Sequence, residues 1–202
     1  MEWLSQFIHF FLHIDQYLIA LIQTMGHWVY ALLFLIIFLE SGAIITPILP
    51  GESMLFAAGS LSAVGALNRD LLFVLLAVAA VSGGFVNFFI GKYIGEKILA
   101  SKRLNKLKGY IQRTHDFYEK YGAMTILIAR LIPIIRTYAP FVAGVAKMRT
   151  RVFSFYNTVG GIAWIGFFIY IGYFFGNIQF VKNNFSFFIL GIIVVSIVTN
   201  LI

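Results

Sequence analysis

The chain has 202 residues, of which 60% are hydrophobic and 11% are charged, and its mean hydropathy is +0.90. A soluble domain carries about 25% charged residues, and a chain of this length cannot hide so much apolar surface from water. The composition therefore excludes a water-soluble globular fold. The absence of cysteine excludes a disulfide scaffold and a thiolate metal site. In a membrane protein, the net charge of +7 indicates contact with anionic lipid head groups rather than with nucleic acid.

The hydrophobic pattern predicts an all-α integral membrane protein that forms a single domain, with about four full spans and two interfacial amphipathic helices. In chain order we expect an interfacial helix over 1–26, a span over 28–45, a broken segment over 46–67, a span over 70–95, a cytoplasmic amphipathic helix over 96–121, a second broken segment over 122–146, and spans over 152–176 and 184–202. Residues 1–26 contain no lysine or arginine, so we do not expect a cleaved signal peptide.

Proline and glycine interrupt both broken segments, which makes a straight helix through either one improbable. The first segment contains Pro47, Pro50 and Gly51, and the second contains Pro133, Pro140 and Gly144. A weak internal repeat links the two segments, because Pro47 precedes Ala58-Gly59 much as Pro133 precedes Ala143-Gly144. Paired, interrupted apolar segments are typical of inverted-repeat transporters at their binding site. We therefore predict an inverted repeat with two re-entrant helical hairpins.

The basic residues predict the orientation of the chain. If both hairpins are re-entrant, ten of them fall on one face, and the opposite face receives only Arg69 and Lys182. The ten are Lys97, Lys102, Arg103, Lys106, Lys108, Arg113, Lys120, Lys147, Arg149 and Arg151. By the positive-inside rule this face is cytoplasmic. The basic helix and the later basic cluster would also share a face if both hairpins crossed the membrane fully, so this pattern predicts orientation and leaves re-entrance open.

Four charged residues fall where hydrocarbon is expected: Glu40, Glu52, Arg130 and Arg136. Each would cost about 2.5–3.5 kcal/mol at the centre of a spanning helix. Opposite charges can offset this cost by pairing, and non-helical backbone at that depth must be buried or line a wet cavity. We therefore expect the four side chains around one polar cavity near the middle of the membrane.

Arginine suits a phosphate group because its planar guanidinium binds two phosphate oxygens at once. Arg130 and Arg136 are thus candidates for substrate binding. Desolvated carboxyl groups can exchange protons near neutral pH, so Glu40 and Glu52 are candidates for proton coupling. The structural alternative is two salt bridges that only fix the hairpins in place.

Other polar and aromatic residues fit packing better than ligand binding. Asn87 and Asn157 each lie on a face of small residues, which favours close helix packing. Aromatic residues such as Trp28, Trp164 and Tyr170 are typical of packing or of the membrane interface. No metal-ligand spacing, catalytic triad or P-loop is visible, so we expect no enzyme activity, no cofactor and no metal.

Two long blocks resemble the signatures of the DedA family, also called the SNARE-associated Golgi or VTT-domain family. They are ESGAIITPILPGESMLFAAGSL (40–61) and FYEKYGAMTILIARLIPIIRTYAPFVAGVAKM (117–148). A third pattern, FxxYNxxGxxxW, follows at Phe153, Tyr156, Asn157, Gly160 and Trp164. The resemblance runs from about His13 to the end of the chain. It is greatest to the bacterial members for which the family is named.

This resemblance implies a bacterial inner-membrane protein with two re-entrant hairpins. It also implies translocation of undecaprenyl phosphate or phosphatidylethanolamine linked to the proton gradient. Essential acids and arginines of the family correspond to the four charged residues named above. Two positions depart from the family pattern. Glu52 stands where an aspartate is usual, and Gly84 stands where many members have an aspartate.

The leading hypothesis is a proton-coupled translocase for a phosphate-bearing lipid. Its partners would be protons and a membrane phospholipid or polyprenyl phosphate. A phosphatidylethanolamine translocase, a proton-coupled cation antiporter and a non-transporting membrane scaffold remain alternatives. The oligomeric state and the transported head group are left open.

Overall fold

The computed structural model describes residue 22 and residues 24–42, 51–100 and 114–178. Every regular element in these ranges is helical. The predicted interfacial helix over 1–26 lies almost entirely outside the described residues. Pro47 and Pro50, the middle of the predicted helix over 96–121, and the predicted span over 184–202 also lie outside them.

Five helices carry the fold. They are α1 (Trp28–Gly42), α2 (Gly51–Ala63), α3 (Arg69–Ala100), α4 (Pro133–Val145) and α5 (Thr150–Gly176). Within the described residues, two stretches of 27 residues each, Arg69–Gly95 and Thr150–Gly176, are long and apolar enough to cross a bilayer. The helices α1 and α2 are apolar but shorter, with 15 and 13 residues.

The start of α3 is specified locally. Gly65 has a φ of +79°, a left-handed backbone conformation that costs glycine little. This residue lies in the turn between the end of α2 and the start of α3. The Asn68 side chain then accepts a hydrogen bond from the Leu71 backbone N–H at 3.0 Å, which makes it the N-cap of α3. Asp70 in the first turn adds a favourable negative charge near the positive end of the helix.

The second broken segment is interrupted as its sequence predicts. Three short helical turns run through Gly122–Met124, Thr125–Ile128 and Ala129–Leu131. Ile132 is then extended, with φ −120° and ψ +108°, and Pro133 is the first residue of α4. A residue before proline is pushed away from helical backbone angles, and proline fits the first helical position, where no N–H is needed. Pro140 lies inside α4 without ending it.

The described residues form two compact units. Unit 1 comprises residues up to Leu33, Pro50–Leu75 and residues from Gly166. Unit 2 comprises Phe34–Leu49 and Leu76–Ile165. The core of unit 2 is a cluster of buried apolar side chains, in which the rings of Phe88 and Phe153 stack with their centroids 4.1 Å apart.

The same helix contact occurs once inside each unit. In unit 1, Gly172 of α5 lies directly against the backbone carbonyl of Phe56 of α2, and Gly59 of α2 lies against that of Ile169. A Cβ at either glycine would overlap the facing backbone, so only glycine permits this approach. This contact confirms the close helix packing that the small-residue face of α5 predicts.

Unit 2 repeats the arrangement with a different pair of helices. Gly91 of α3 lies against the carbonyl of Phe141 of α4, and Gly144 of α4 lies against that of Phe88. In both short helices the contact follows a Phe-x-x-Gly pattern. The weak repeat in the sequence therefore corresponds to a repeated packing contact, in which α2 and α4 are equivalent.

Candidate functional site

Arg136 and Glu40 form a buried ion pair inside unit 2. Glu40 lies near the end of α1, Arg136 lies in the first turn of α4, and the Arg136 Nη2 donates a hydrogen bond to Glu40 Oε1 at 2.5 Å. The exposed fractions of the two side chains are 3% for Glu40 and 12% for Arg136. Such burial makes pairing necessary, because an isolated charge would be strongly destabilising here.

Trp164 of α5 provides a second contact for Arg136. The guanidinium carbon lies 4.7 Å from the centroid of the Trp164 ring, within the range of a cation–π interaction. Trp164 is itself buried, with 5% of its surface exposed. The sequence pattern places this tryptophan among packing residues and does not predict its contact with the arginine.

Arg130 is buried in the same unit but has a different set of partners. It lies in the last helical turn before the break at Ile132 and is 7% exposed. Its Nη2 donates to the side-chain Oδ1 of Asn157 at 3.0 Å and to the backbone carbonyl of the same residue at 3.3 Å. Its buried Nε has no hydrogen-bond partner among the described residues. No carboxylate in the described part of unit 2 pairs with Arg130.

Two buried asparagines connect the helices around these arginines. Asn157 donates from Nδ2 to the Val81 carbonyl of α3 at 2.9 Å. Asn87 of α3 donates to the Thr137 carbonyl of α4 at 2.8 Å and to the Ser41 carbonyl of α1 at 3.3 Å. Both side chains are fully buried, so these bonds hold the helices that carry the charged residues.

One further hydrogen bond fixes α4 against residues 114–121, which form the helical stretch just before the second broken segment. The Tyr118 hydroxyl donates to the Ala139 carbonyl at 3.0 Å. Burial raises the pKa of the Tyr118 hydroxyl above its ordinary value, so it remains a donor at physiological pH. In the same helical stretch, His115 is exposed and lies beside Asp116 and Glu119, so that ligand atoms of the three side chains are within 4.8 Å of one another.

The two arginines line a common pocket. Its walls consist of Ser41, Gly84, Ile126, Arg130, Arg136, Pro140 and Asn157. The enclosed space is about the size of one water molecule. The structure thus brings together Arg130, Arg136 and, through its ion pair, Glu40. Glu52 lies in the first turn of α2, which belongs to unit 1.

The structure also shows what occupies the space beside Gly84. A Cβ at this position would overlap the Asn157 Oδ1 and lie 3.0 Å from its Cγ. The Asn157 amide therefore fills the room that a side chain at position 84 would need. This observation gives a physical reason why the chain has glycine at the position where the family resemblance leads one to expect aspartate.

The fold and the site together define a class of protein. It is an all-helical membrane protein with a cluster of buried arginines beside an interrupted helix. The VTT domain model matches residues 49–174. Protein DedA of Escherichia coli is 46% identical over 205 residues, which cover 100% of this chain and 94% of that protein. The chain belongs to the DedA family of VTT-domain membrane proteins.

Two further relatives support this assignment. An uncharacterized membrane protein of Mycobacterium tuberculosis is 42% identical, over 83% of this chain and 75% of that protein. Inner membrane protein YqjA of Escherichia coli is 35% identical, over 73% of this chain and 67% of that protein. No solved structure matches the chain.

Proposed function

We propose that this protein translocates a lipid with a phosphate head group, such as undecaprenyl phosphate, across the bacterial inner membrane, and that protons drive the cycle. The head group would enter the polar site of unit 2 while the lipid tails stay in the bilayer. The basic loops would face the cytoplasm. The broken segments would form the re-entrant hairpins that open the site to each leaflet in turn.

The burial of Arg130 among neutral hydrogen-bond partners is the observation that carries this proposal. Its guanidinium is buried, yet its described hydrogen bonds go only to neutral oxygens of Asn157. A buried charge without a counter-ion is costly, and an anion that binds there recovers that cost. A phosphate matches this cation well because charge-assisted bonds from a guanidinium are about twice as strong as neutral hydrogen bonds.

Arg136 links binding of the phosphate group to protonation of Glu40. A phosphate group competes with the Glu40 carboxylate for the Arg136 guanidinium. When Glu40 is protonated, this competition weakens, so phosphate binding and proton uptake favour each other. Because such linkage is reciprocal, a bound head group would also raise the affinity of Glu40 for a proton. Glu52 of α2, in unit 1, is the second candidate for proton exchange.

The size of the pocket requires a conformational change. A space about the size of one water molecule cannot admit a phosphate group. The structure therefore corresponds to a closed state in this proposal. The break at Ile132 lies between Arg130 and Arg136, so movement of the two parts of the segment about this residue would separate the arginines and open the site. A few backbone angles at such a break can absorb a large hinge movement.

Reconstituted vesicles would test the proposal. The protein would be placed in phosphatidylcholine vesicles with a fluorescent polyprenyl phosphate, and head-group exposure on the outer leaflet would be followed with and without an imposed pH gradient. We expect the parent protein to accelerate exposure and the gradient to change the rate. Arg130→Gln and Arg136→Gln should each reduce the rate at least tenfold. Arg149→Gln is the matched control, since Arg149 is exposed and lies outside the cluster.

The same vesicles distinguish the alternatives. Movement of phosphatidylethanolamine without movement of the polyprenyl phosphate would assign the zwitterionic head group instead. Cation-driven pH changes in vesicles without added substrate, abolished by Glu52→Gln, would support an antiporter. If the parent moves neither lipid and drives no ion exchange, the transport proposal is wrong.

A further inference from the structure

Asn157 has contacts that a helix-packing residue does not need. One side-chain atom, Nδ2, donates across to the Val81 carbonyl, and the other, Oδ1, accepts from the Arg130 guanidinium at 3.0 Å. The amide is therefore fixed in orientation from both sides. With its nitrogen bonded to a carbonyl, it can present only its oxygen to Arg130. The position of the arginine is thus coupled to the position of this one amide.

Three glycines leave the space that the Asn157 amide and the Arg130 guanidinium occupy. Gly84 of α3 leaves the space for the amide, as described above. On α5, a Cβ at Gly160 would lie 3.1 Å from the Arg130 Nε, and a Cβ at Gly161 would lie 3.3 Å from its Nη2. The guanidinium therefore lies close against the surface of α5, where any larger residue would crowd it.

We propose that Asn157 is the positioning residue that keeps the Arg130 charge available to an anionic ligand. An asparagine at this place orients the guanidinium and satisfies one of its donors, while it leaves the positive charge uncompensated. A carboxylate of the same shape would form an ion pair and would occupy the arginine permanently. The identity of the ligand rests on the proposed function, but the arrangement of charge does not.

The two arginines therefore have different roles in the proposed site. Arg136 has a carboxylate partner in Glu40, so its availability depends on protonation. Arg130 has an amide partner, which does not titrate. The charged groups that line or directly contact the pocket in the described part of unit 2 are Arg130, Arg136 and Glu40. Asn157 therefore makes one half of the anion site independent of pH.

The test uses Asn157→Asp, which changes the charge with almost no change in shape. Asn87→Asp is the matched control, because Asn87 is also fully buried and also donates its amide hydrogens to backbone carbonyls, but has no described bond to either arginine. Asn157→Asp loses one hydrogen bond to a carbonyl, and Asn87→Asp loses two. Only the first places a carboxylate 3.0 Å from a guanidinium nitrogen.

The first measurement needs no lipid. Thermal unfolding of both variants in detergent would be compared from pH 7 down to pH 3. The carboxylate introduced at position 157 can form an ion pair with the Arg130 guanidinium, and protonation of that carboxylate removes the pair. The stabilisation by this pair is therefore present at neutral pH and is lost when the carboxylate becomes protonated at low pH. We expect Asn157→Asp to unfold at a higher temperature than Asn87→Asp at pH 7, with this difference shrinking at pH 3.

The second measurement uses dioctanoyl phosphatidic acid as the probe, with binding followed by tryptophan fluorescence, since Trp164 lies under Arg136. Loss of a charge-assisted hydrogen bond corresponds to a change on the order of tenfold to a hundredfold in affinity. We expect Asn157→Asp to weaken binding at pH 7 by that factor and Arg149→Gln, which changes an exposed residue outside the cluster, to leave it within about threefold of the parent. If Asn157→Asp does not fold, Gly84→Ala, which displaces the amide, should also weaken binding at least tenfold.

The outcomes separate this inference from the function. Equal binding by the parent and by Asn157→Asp would overturn the inference. So would a failure of Asn157→Asp to exceed the stability of Asn87→Asp at pH 7. If the parent binds no phosphatidic acid, the proposed function is contradicted, while the unfolding comparison still decides whether Asn157 faces an uncompensated arginine.

Discussion

The buried ion pair between Glu40 and Arg136 should contribute a measurable coupling to the free energy of unfolding. Its Nη2 and Oε1 atoms are in direct contact at 2.5 Å. Two unit charges about 4 Å apart attract each other by about 4 kcal/mol at the effective dielectric constant of about 20 that suits protein sites. Glu40→Gln or Arg136→Gln alone removes one partner of this buried pair and leaves the other charge in place, so each should cost about 3 kcal/mol. The double variant removes both charges and should cost much less than the sum. We expect a coupling free energy of about 2–4 kcal/mol.

A double-mutant cycle measures this coupling directly. The four proteins would be unfolded by titration with sodium dodecyl sulfate in mixed micelles, and helix content would be followed by circular dichroism. The pair formed by Arg69 and Asp70 is a useful comparison, because its side chains are 34% and 72% exposed and it should show a coupling close to zero. A coupling below about 0.5 kcal/mol for Glu40 and Arg136 would refute the assignment of a buried pair.

Three further predictions concern transport and packing. Glu40→Gln imitates the protonated acid, so it should preserve binding of phosphatidic acid but abolish the pH dependence of lipid movement in vesicles; an unchanged pH profile would exclude Glu40 from proton coupling. Gly144→Ala places a methyl group against facing backbone and should lower stability by about 1–3 kcal/mol. Its control is Gly166→Ala, where the added carbon would lie 3.3 Å from a movable aromatic ring, and which should leave thermal unfolding nearly unchanged. Tyr118→Phe loses a buried hydrogen bond to α4 and should cost about 1–2 kcal/mol in the same unfolding assay, whereas no change would mean that this bond does not hold α4.

Several features of the fold were predictable because they follow from local chemistry. Composition alone indicates helices in lipid, and the break at Ile132 follows from the proline after it. The small-residue face of α3 predicts a close helix contact, and Gly91 makes one. Burial of Glu40 and Arg130 was also expected, because both fall in otherwise apolar segments. These inferences depend on a few neighbouring residues.

The arrangement inside the site was not predictable in the same way. The sequence suggests that two acids meet two arginines, but only the packing of α1 against α4 decides that Glu40 faces Arg136. The bond between Asn157 and Arg130 joins residues 27 positions apart, and no periodic pattern indicates it. A buried polar residue that faces a glycine, as Asn157 faces Gly84, is the one signal that could have suggested it.

Proximity between the Arg130 guanidinium and a lipid phosphate is the decisive observation for the proposed site. Protein with ¹⁵N-labelled arginine would be reconstituted with a thiophosphate lipid, whose phosphorus resonance is separate from that of the bulk phospholipid, and nitrogen–phosphorus dipolar coupling would be measured by solid-state NMR. We expect a coupling from a short contact that disappears in Arg130→Gln and persists in Arg149→Gln. A coupling that is unchanged by Arg130→Gln would show that the phosphate binds elsewhere and would contradict the proposed site.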